Sequence, residues 1–145
     1  MDSLHYLLMK AYAQLNKKIL KNAAAIDLSP GQPKILEDLL CHGENNQKAV
    51  AEHCEIEQAT AGTILLRMEK EGLIKRFNKE GNRRSLYVTL TSKGRQRALQ
   101  MEQIFNRCEQ EAVSGMSDAE IQQLKQLLEK FCASIAKKGC GTNEK

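Results

Sequence analysis

Apolar residues recur at three- and four-residue steps through Leu4, Leu7, Leu8, Ala11, Leu15, Ile19, Ala23 and Ile26. That spacing predicts one long amphipathic helix, with a basic polar face at Lys10, Lys17, Lys18 and Lys21. Ser29 and Pro30 read as the N-cap and first residue of a second helix through Ile35, Leu36, Leu39 and Leu40, with Pro33 in its first turn. Gly43 ends it.

Residues 46–90 change the pattern. Asn46 is a plausible N-cap for a short helix carrying Val50, Ala51 and Cys54. A second amphipathic helix, about 58–71, follows with Ala61, Ile64, Leu65 and Met68 on its inner stripe and stops at Gly72. Residues 73–78 and 86–90 predict two strands joined around Gly81-Asn82, with Leu86, Val88 and Leu90 alternating inward. Two helices across a tight turn with a basic hairpin appended can set one helix in the DNA major groove and the hairpin tip beside it.

Thr91 or Ser92 caps a long helix carrying Ala98, Met101, Ile104, Phe105 and Cys108, and Gly115 breaks it. Ser117 and Glu120 form a capping box for a last helix that is expected to bury Ile121, Leu124, Leu127, Leu128, Phe131 and Ile135. Residues 137–145 read as a mobile tail. The expected fold is mostly α with a small β-hairpin (α+β). A winged helix-turn-helix over 29–91 is flanked by long helices over 1–28 and 92–136, which have more apolar face than a small winged core can cover. That surplus implies a homodimer, the alternative being a self-contained helical bundle.

The charge distribution supports a nucleic-acid reading. The chain has 145 residues, one domain's worth, and a net charge of +4. From Arg67 to Arg97 ten Lys or Arg stand against Glu69, Glu71 and Glu80, a net +7 that leaves −3 for the remainder. A basic block on a slightly acidic body fits a phosphate-backbone binder, and it coincides with the helix-turn-helix. The opening residues lack a signal-peptide pattern, and no apolar run approaches the roughly 20 residues of a membrane span. Five cysteines without a short repeated spacing argue against a disulfide framework and for a reducing cytoplasm. Three scattered histidines assemble no catalytic set, so an enzyme is not expected.

Over nearly its whole length the chain resembles the MarR family of bacterial transcriptional regulators. The resemblance rests on Ala59-Thr60 through Arg67-Met68-Glu69-Lys70-Glu71-Gly72-Leu73-Ile74-Lys75-Arg76, like the family's recognition helix and its ending. It rests also on Asn82-Arg83-Arg84-Ser85 with Val88-Thr89-Leu90-Thr91, like its wing, and on Leu28-Ser29-Pro30-Gly31-Gln32. It implies a homodimer on a pseudo-palindromic double-stranded DNA operator, usually a repressor released by a small ligand or an oxidant. Three positions depart from the family pattern: Asn82 replaces the wing aspartate, Leu66 a polar residue, and Gly62 a small polar one.

On the recognition helix, Gln58, Thr60, Thr63 and Arg67 are expected to face outward. Gln58 can pair with adenine, the threonines can meet thymine methyls or phosphates, and Arg67 can serve guanine or phosphate. The family's matching arginine also suggests a bracing role for Arg67. The wing, 79–85, carries Arg83 and Arg84; by resemblance Arg84 enters the minor groove and Arg83 meets a phosphate. Lys75, Arg76, Lys79 and Lys93 are further phosphate candidates, with Arg76 structural in the alternative. Tyr6, Met9, Tyr12, Met101 and Phe105 are candidate effector contacts by their position on the dimer helices, core packing being the competing reading.

No cofactor and no metal site are expected. Cys41 and His42, with Cys108 and Glu109 or Glu111, are the nearest approach to a ligand set, and the chain has no CxxC and no HxxxH. Cys41 and Cys108 are the candidates for oxidant sensing; Cys54 and Cys132 read as small core hydrophobes, and His5 and His53 as surface residues. A winged-helix module that binds an acidic protein partner and no operator is the alternative function.

Overall fold

The computed structural model describes residues 1–139, leaving aside the side chains of Asn82, Arg83, Lys138 and Gly139. Its elements run α1 (Leu4–Ala24), α2 (Gln32–His42), β1 (Asn45–Asn46), α3 (Gln47–His53), α4 (Gln58–Lys70), β2 (Ile74–Lys79), β3 (Asn82–Leu90), α5 (Ser92–Ala112) and α6 (Asp118–Gly139). Residues 1–109 form one compact unit and the described residues from 110 onward a second. The predicted class is what the structure shows, mostly helical with a small antiparallel sheet of order β1-β3-β2.

The core of the first unit gathers Ile35, Leu36, Val50, Leu65, Met68, Ile74, Val88 and Met101, each buried. Burying one such side chain contributes about 1.5–3 kcal/mol. The second half of α1 joins this core through Leu15, Ile19 and Ala23, whereas its first half leaves Leu4, Tyr6, Leu7, Met9 and Tyr12 exposed.

Local chemistry sets most of the boundaries. Asn46 caps α3, its side chain accepting from the Ala49 N–H at 2.8 Å. Thr91 caps α5, its hydroxyl accepting from the Gly94 N–H at 3.0 Å. Gly43 closes α2 at φ 73°. The start of α2 is a correction, because Gly31 at φ 88° is the N-cap and not Ser29. A Cβ on Gly31 would stand 2.6 Å from Ile64 Cδ1, so the contact with α4 as well as the backbone angle calls for glycine there. The hairpin turn is also shifted by one residue. It is Glu80-Gly81, and Asn82 already pairs with Lys79.

In the second unit α6 opens on the expected capping box. The Ser117 N–H donates to Glu120 Oε1 at 3.0 Å and the Glu120 N–H to Ser117 Oγ at 3.2 Å. The helix continues through residues 137–139, which the sequence pattern assigned to a tail; the rest of that tail, 140–145, lies outside the described residues. Within the single chain α6 does not bury the stripe expected of it. Leu124, Leu127, Leu128, Phe131 and Ile135 are exposed, and so is Cys132, which was expected in a core.

Candidate nucleic-acid interface

α3 and α4 meet across Cys54–Glu57, with Glu55 at φ 54° making the bend. α4 turns Ala61, Leu65 and Met68 into the core. Helical spacing then places Ala59, Thr63, Leu66 and Lys70 on the opposite, outward stripe, and all four are exposed. Thr63 keeps its hydroxyl on the Ala59 carbonyl at 3.2 Å. Gln58 and Thr60 are also exposed, on the two flanks of that stripe. Lys70 was not among the residues expected to face outward, although counting three and four residues on from Thr63 and Leu66 reaches it. Gly62 faces α3, where an added Cβ would sit 3.4 Å from Gln47 Nε2.

The two motif arginines are tied into the protein. Arg67 Nε donates to Glu71 Oε1 at 2.8 Å, while Gln32 Nε2 donates to Glu71 Oε2 at 3.1 Å and the Ser29 N–H to Gln32 Oε1 at 2.9 Å. Gln32 is buried, so this chain of bonds fastens the end of α4 to the start of α2. Arg67 nonetheless remains 64% exposed at its side chain, which leaves part of the guanidinium able to reach a phosphate. Arg76 is more enclosed. It pairs with Glu69 through Nη2–Oε1 at 3.3 Å and Nε–Oε2 at 3.4 Å, and donates to Gln47 Oε1 at 3.4 Å. The hydrogen bond from Arg76 is the main cause that holds the Glu69 carboxyl below its ordinary pKa.

A seam behind α4 fixes its exit. The Thr91 hydroxyl donates to the Gly72 carbonyl at 2.6 Å, the Thr91 N–H to the Leu73 carbonyl at 3.1 Å, and Lys93 Nζ to the Glu71 carbonyl at 2.8 Å. Gly94 sits so close that a Cβ there would fall 1.8 Å from the Leu73 oxygen. Lys93, read as a phosphate candidate, is thus also a cap on α4. With Arg67 and Arg97 it lines a basic cleft of about 500 Å³.

The wing is the hairpin of β2 and β3. Pairing runs in step from Ile74↔Leu90 to Asn78↔Leu86 and then jumps to Lys79↔Asn82, so residues 83–85 have no opposite partner on β2. An irregularity of this kind re-aims the side chains it carries. Arg84 lies in it and is exposed; the side chains of Asn82 and Arg83 lie outside the described residues. Leu86, expected inward, is exposed, while Val88 is buried as the alternation requires. Phe77 stacks on Tyr87 across the strands at 6.1 Å, Lys79 Nζ stands 4.3 Å over the Tyr87 ring, and Lys79 also reaches Glu44 at 3.3 Å. Lys75 is exposed on β2.

Of the candidate effector residues, Tyr12 and Phe105 line one cleft of about 410 Å³ with Ile19, Pro33, Ile56 and Ile64. Tyr6 and Met9 are exposed on α1 and are not part of it, and Met101 is fully buried in the core. Thr60 of α4 lies on the same cleft. Cys108 is buried, with Asn22 Nδ2 at 3.9 Å from its sulfur, and Cys41 is exposed. His53, expected like His5 at the surface, is exposed and has Nδ1 3.0 Å from Asp38 Oδ1. No described helix is long and apolar enough to cross a membrane.

The arrangement has close counterparts. Residues 28–86, from just before α2 into the wing, match the profile of the MarR family. The chain is 26% identical over 118 residues to the HTH-type transcriptional repressor IacR of Pseudomonas putida, covering 81% of this chain and 69% of that protein. Among solved structures, the S. aureus MepR–DNA complex superposes with a TM-score of 0.85 at 24% identity, over 92% of this chain and 99% of that one. Bordetella bronchiseptica BpsR, solved for the regulation of its DNA binding by 6-hydroxynicotinic acid, gives 0.82 at 24% identity, over 90% and 99%. With the winged helix-turn-helix, its basic hairpin and these matches agreeing, residues 28–86 carry a MarR-family match and the chain is similar to that family of DNA-binding transcriptional regulators.

Proposed function

We propose that this regulator is a homodimeric repressor of a pseudo-palindromic operator. The observation that carries this is that one compact unit presents an exposed outward stripe with Thr63 and Lys70 on α4 and an exposed arginine on the wing. In that reading Thr63 and Lys70 enter the major groove with Gln58 and Thr60 at its edges. Leu66 meets thymine methyls, and Arg84 enters the minor groove with Arg83 on the flanking backbone. Lys75, Lys79 and Arg67 neutralise phosphates, whereas Arg76 acts through Glu69 and Gln47 to hold β2 against α3 and α4.

Dimerisation is supported by the unspent apolar faces of α1 and α6, which run to Tyr12 on one and from Leu124 to Ile135 on the other. A second copy covers both, and a two-fold axis then sets two α4 helices about 34–36 Å apart, one turn of B-DNA. Effector release is supported by the cleft at Tyr12 and Phe105, because an apolar ligand there touches α1, α2, α5 and the Thr60–Ile64 flank of α4 together.

Anisotropy titrations of a duplex from the region upstream of its own gene, repeated over a range of salt, test the reading. Operator-specific binding with a log K against log salt slope near −0.9 per neutralised phosphate is expected. Binding that ignores sequence, or none at all, would favour the protein-interaction module instead.

A further inference from the structure

One cluster of side chains has no part in the DNA face. Asp38 and His42 stand one turn apart on α2, and His53 is the last residue of α3. Asp38 Oδ1 lies 2.9 Å from His42 Nδ1 and 3.0 Å from His53 Nδ1, so both imidazoles converge on a single oxygen. The ring centroids are 4.9 Å apart, and each residue offers a ligand atom within 4.8 Å of the others. The Asp38 side chain is only 6% exposed, and its second oxygen, Oδ2, is buried with no hydrogen-bond partner. A buried carboxylate with an orphaned oxygen is costly unless a charge compensates it. The two imidazoles, at 58% and 42% exposure, leave solvent a route to that carboxylate.

We propose that Asp38, His42 and His53 bind one divalent first-row transition-metal ion, with zinc as the type, and that the ion clamps α2 to α3. Two imidazole nitrogens and one carboxylate suit zinc and its neighbours, whereas magnesium and calcium take oxygen donors. A tetrahedral ion with ligands at about 2.0–2.2 Å sets neighbouring ligand atoms about 3.3 Å apart. The present contacts therefore open by a few tenths of an ångström, a shift that two exposed histidine rings make by small rotations. Each histidine binds through its Nδ1 lone pair: the Nδ1 proton shared with Asp38 leaves to solvent, and the imidazole that coordinates the ion is neutral with its one proton on Nε2. Water fills the fourth position. The nearby Cys54 is not the fourth ligand, since its thiol is turned to the Lys34 carbonyl at 3.5 Å.

The site stands on the helix pair that carries the recognition helix, because α3 leads through Cys54–Glu57 directly into α4. It is independent of the operator reading. Isothermal titration of zinc into the full-length, chelator-stripped protein tests it, alongside long-range proton–nitrogen spectra of the imidazoles. One ion per chain is expected, with the His42 and His53 ring signals shifting and those of His5 unmoved. His42→Ala and His53→Ala, both at exposed side chains, each weaken uptake at least roughly tenfold, the loss seen on removing even an outer-shell partner. Absence of uptake, uptake with the His42 and His53 signals unmoved, or uptake undiminished in the doubly substituted chain overturns the proposal.

Discussion

α4 and α6 are both amphipathic, yet they dispose of their apolar stripes in opposite ways. α4 buries Ala61, Leu65 and Met68 completely in the core of its own unit, and what remains outside is small or polar except Leu66. α6 leaves Leu124, Leu127, Leu128, Phe131 and Ile135 at 36–59% exposure. A helix whose stripe is used inside the chain is held rigidly and offers a polar face, as reading DNA requires. A helix whose stripe is unused is an adhesive surface for another protein chain. The contrast supports the proposed roles, recognition for the one and assembly for the other.

The strongest way to break the first half of the comparison is at the seam behind α4. Gly94→Ala drives a methyl into the Leu73 carbonyl and should cost about 3 kcal/mol or more, read as a large fall in Tm. An unchanged Tm would mean α4 is not anchored there. On the other helix, Leu127→Lys places a charge on the exposed stripe. It should raise the dimer dissociation constant about 100-fold, near 2.7 kcal/mol, while far-UV circular dichroism stays the same. Sedimentation velocity at micromolar concentration distinguishes that from an indifferent surface leucine.

Smaller effects sharpen the contrast. Gln32→Leu strands the Ser29 N–H and loosens Glu71, for a loss of about 1–3 kcal/mol in urea unfolding. Arg84→Ala should leave stability alone, weaken operator binding, and flatten the salt slope by roughly one unit. The smallest effect is on pH. Glu69 is held below its ordinary value by Arg76, so its contribution is present above the ordinary carboxylate range and is lost as pH falls through the lowered value. The pair is partly exposed and contributes up to about 1 kcal/mol. The Tm gap between the native protein and Arg76→Gln should therefore narrow as pH falls below the ordinary carboxylate range.

The same contrast explains what was legible in the sequence. Features fixed by local chemistry could be read directly: the Asn46 cap, the Ser117–Glu120 box, the glycine stops, and the buried stripe of α4. Features fixed by contacts distant in sequence could not. The start of α2 moved because Gly31 meets Ile64 of another helix, and β1 is only two residues long, too short for any periodicity. For Arg76 the sequence does not choose between phosphate contact and brace; Glu69 and Gln47 beside it favour the brace. The outward stripe of α4 was half legible, with Thr63 found and Lys70 missed. His53 and Asp38 lie 15 positions apart on different helices, with no spacing rule to join them.

Sedimentation equilibrium of the protein with a full palindromic operator and with a single half-site tests the central assignment most directly. Two chains on the full site, with affinity at least a hundredfold above the half-site, is the predicted result. One chain per duplex, with equal affinity for both, would contradict it.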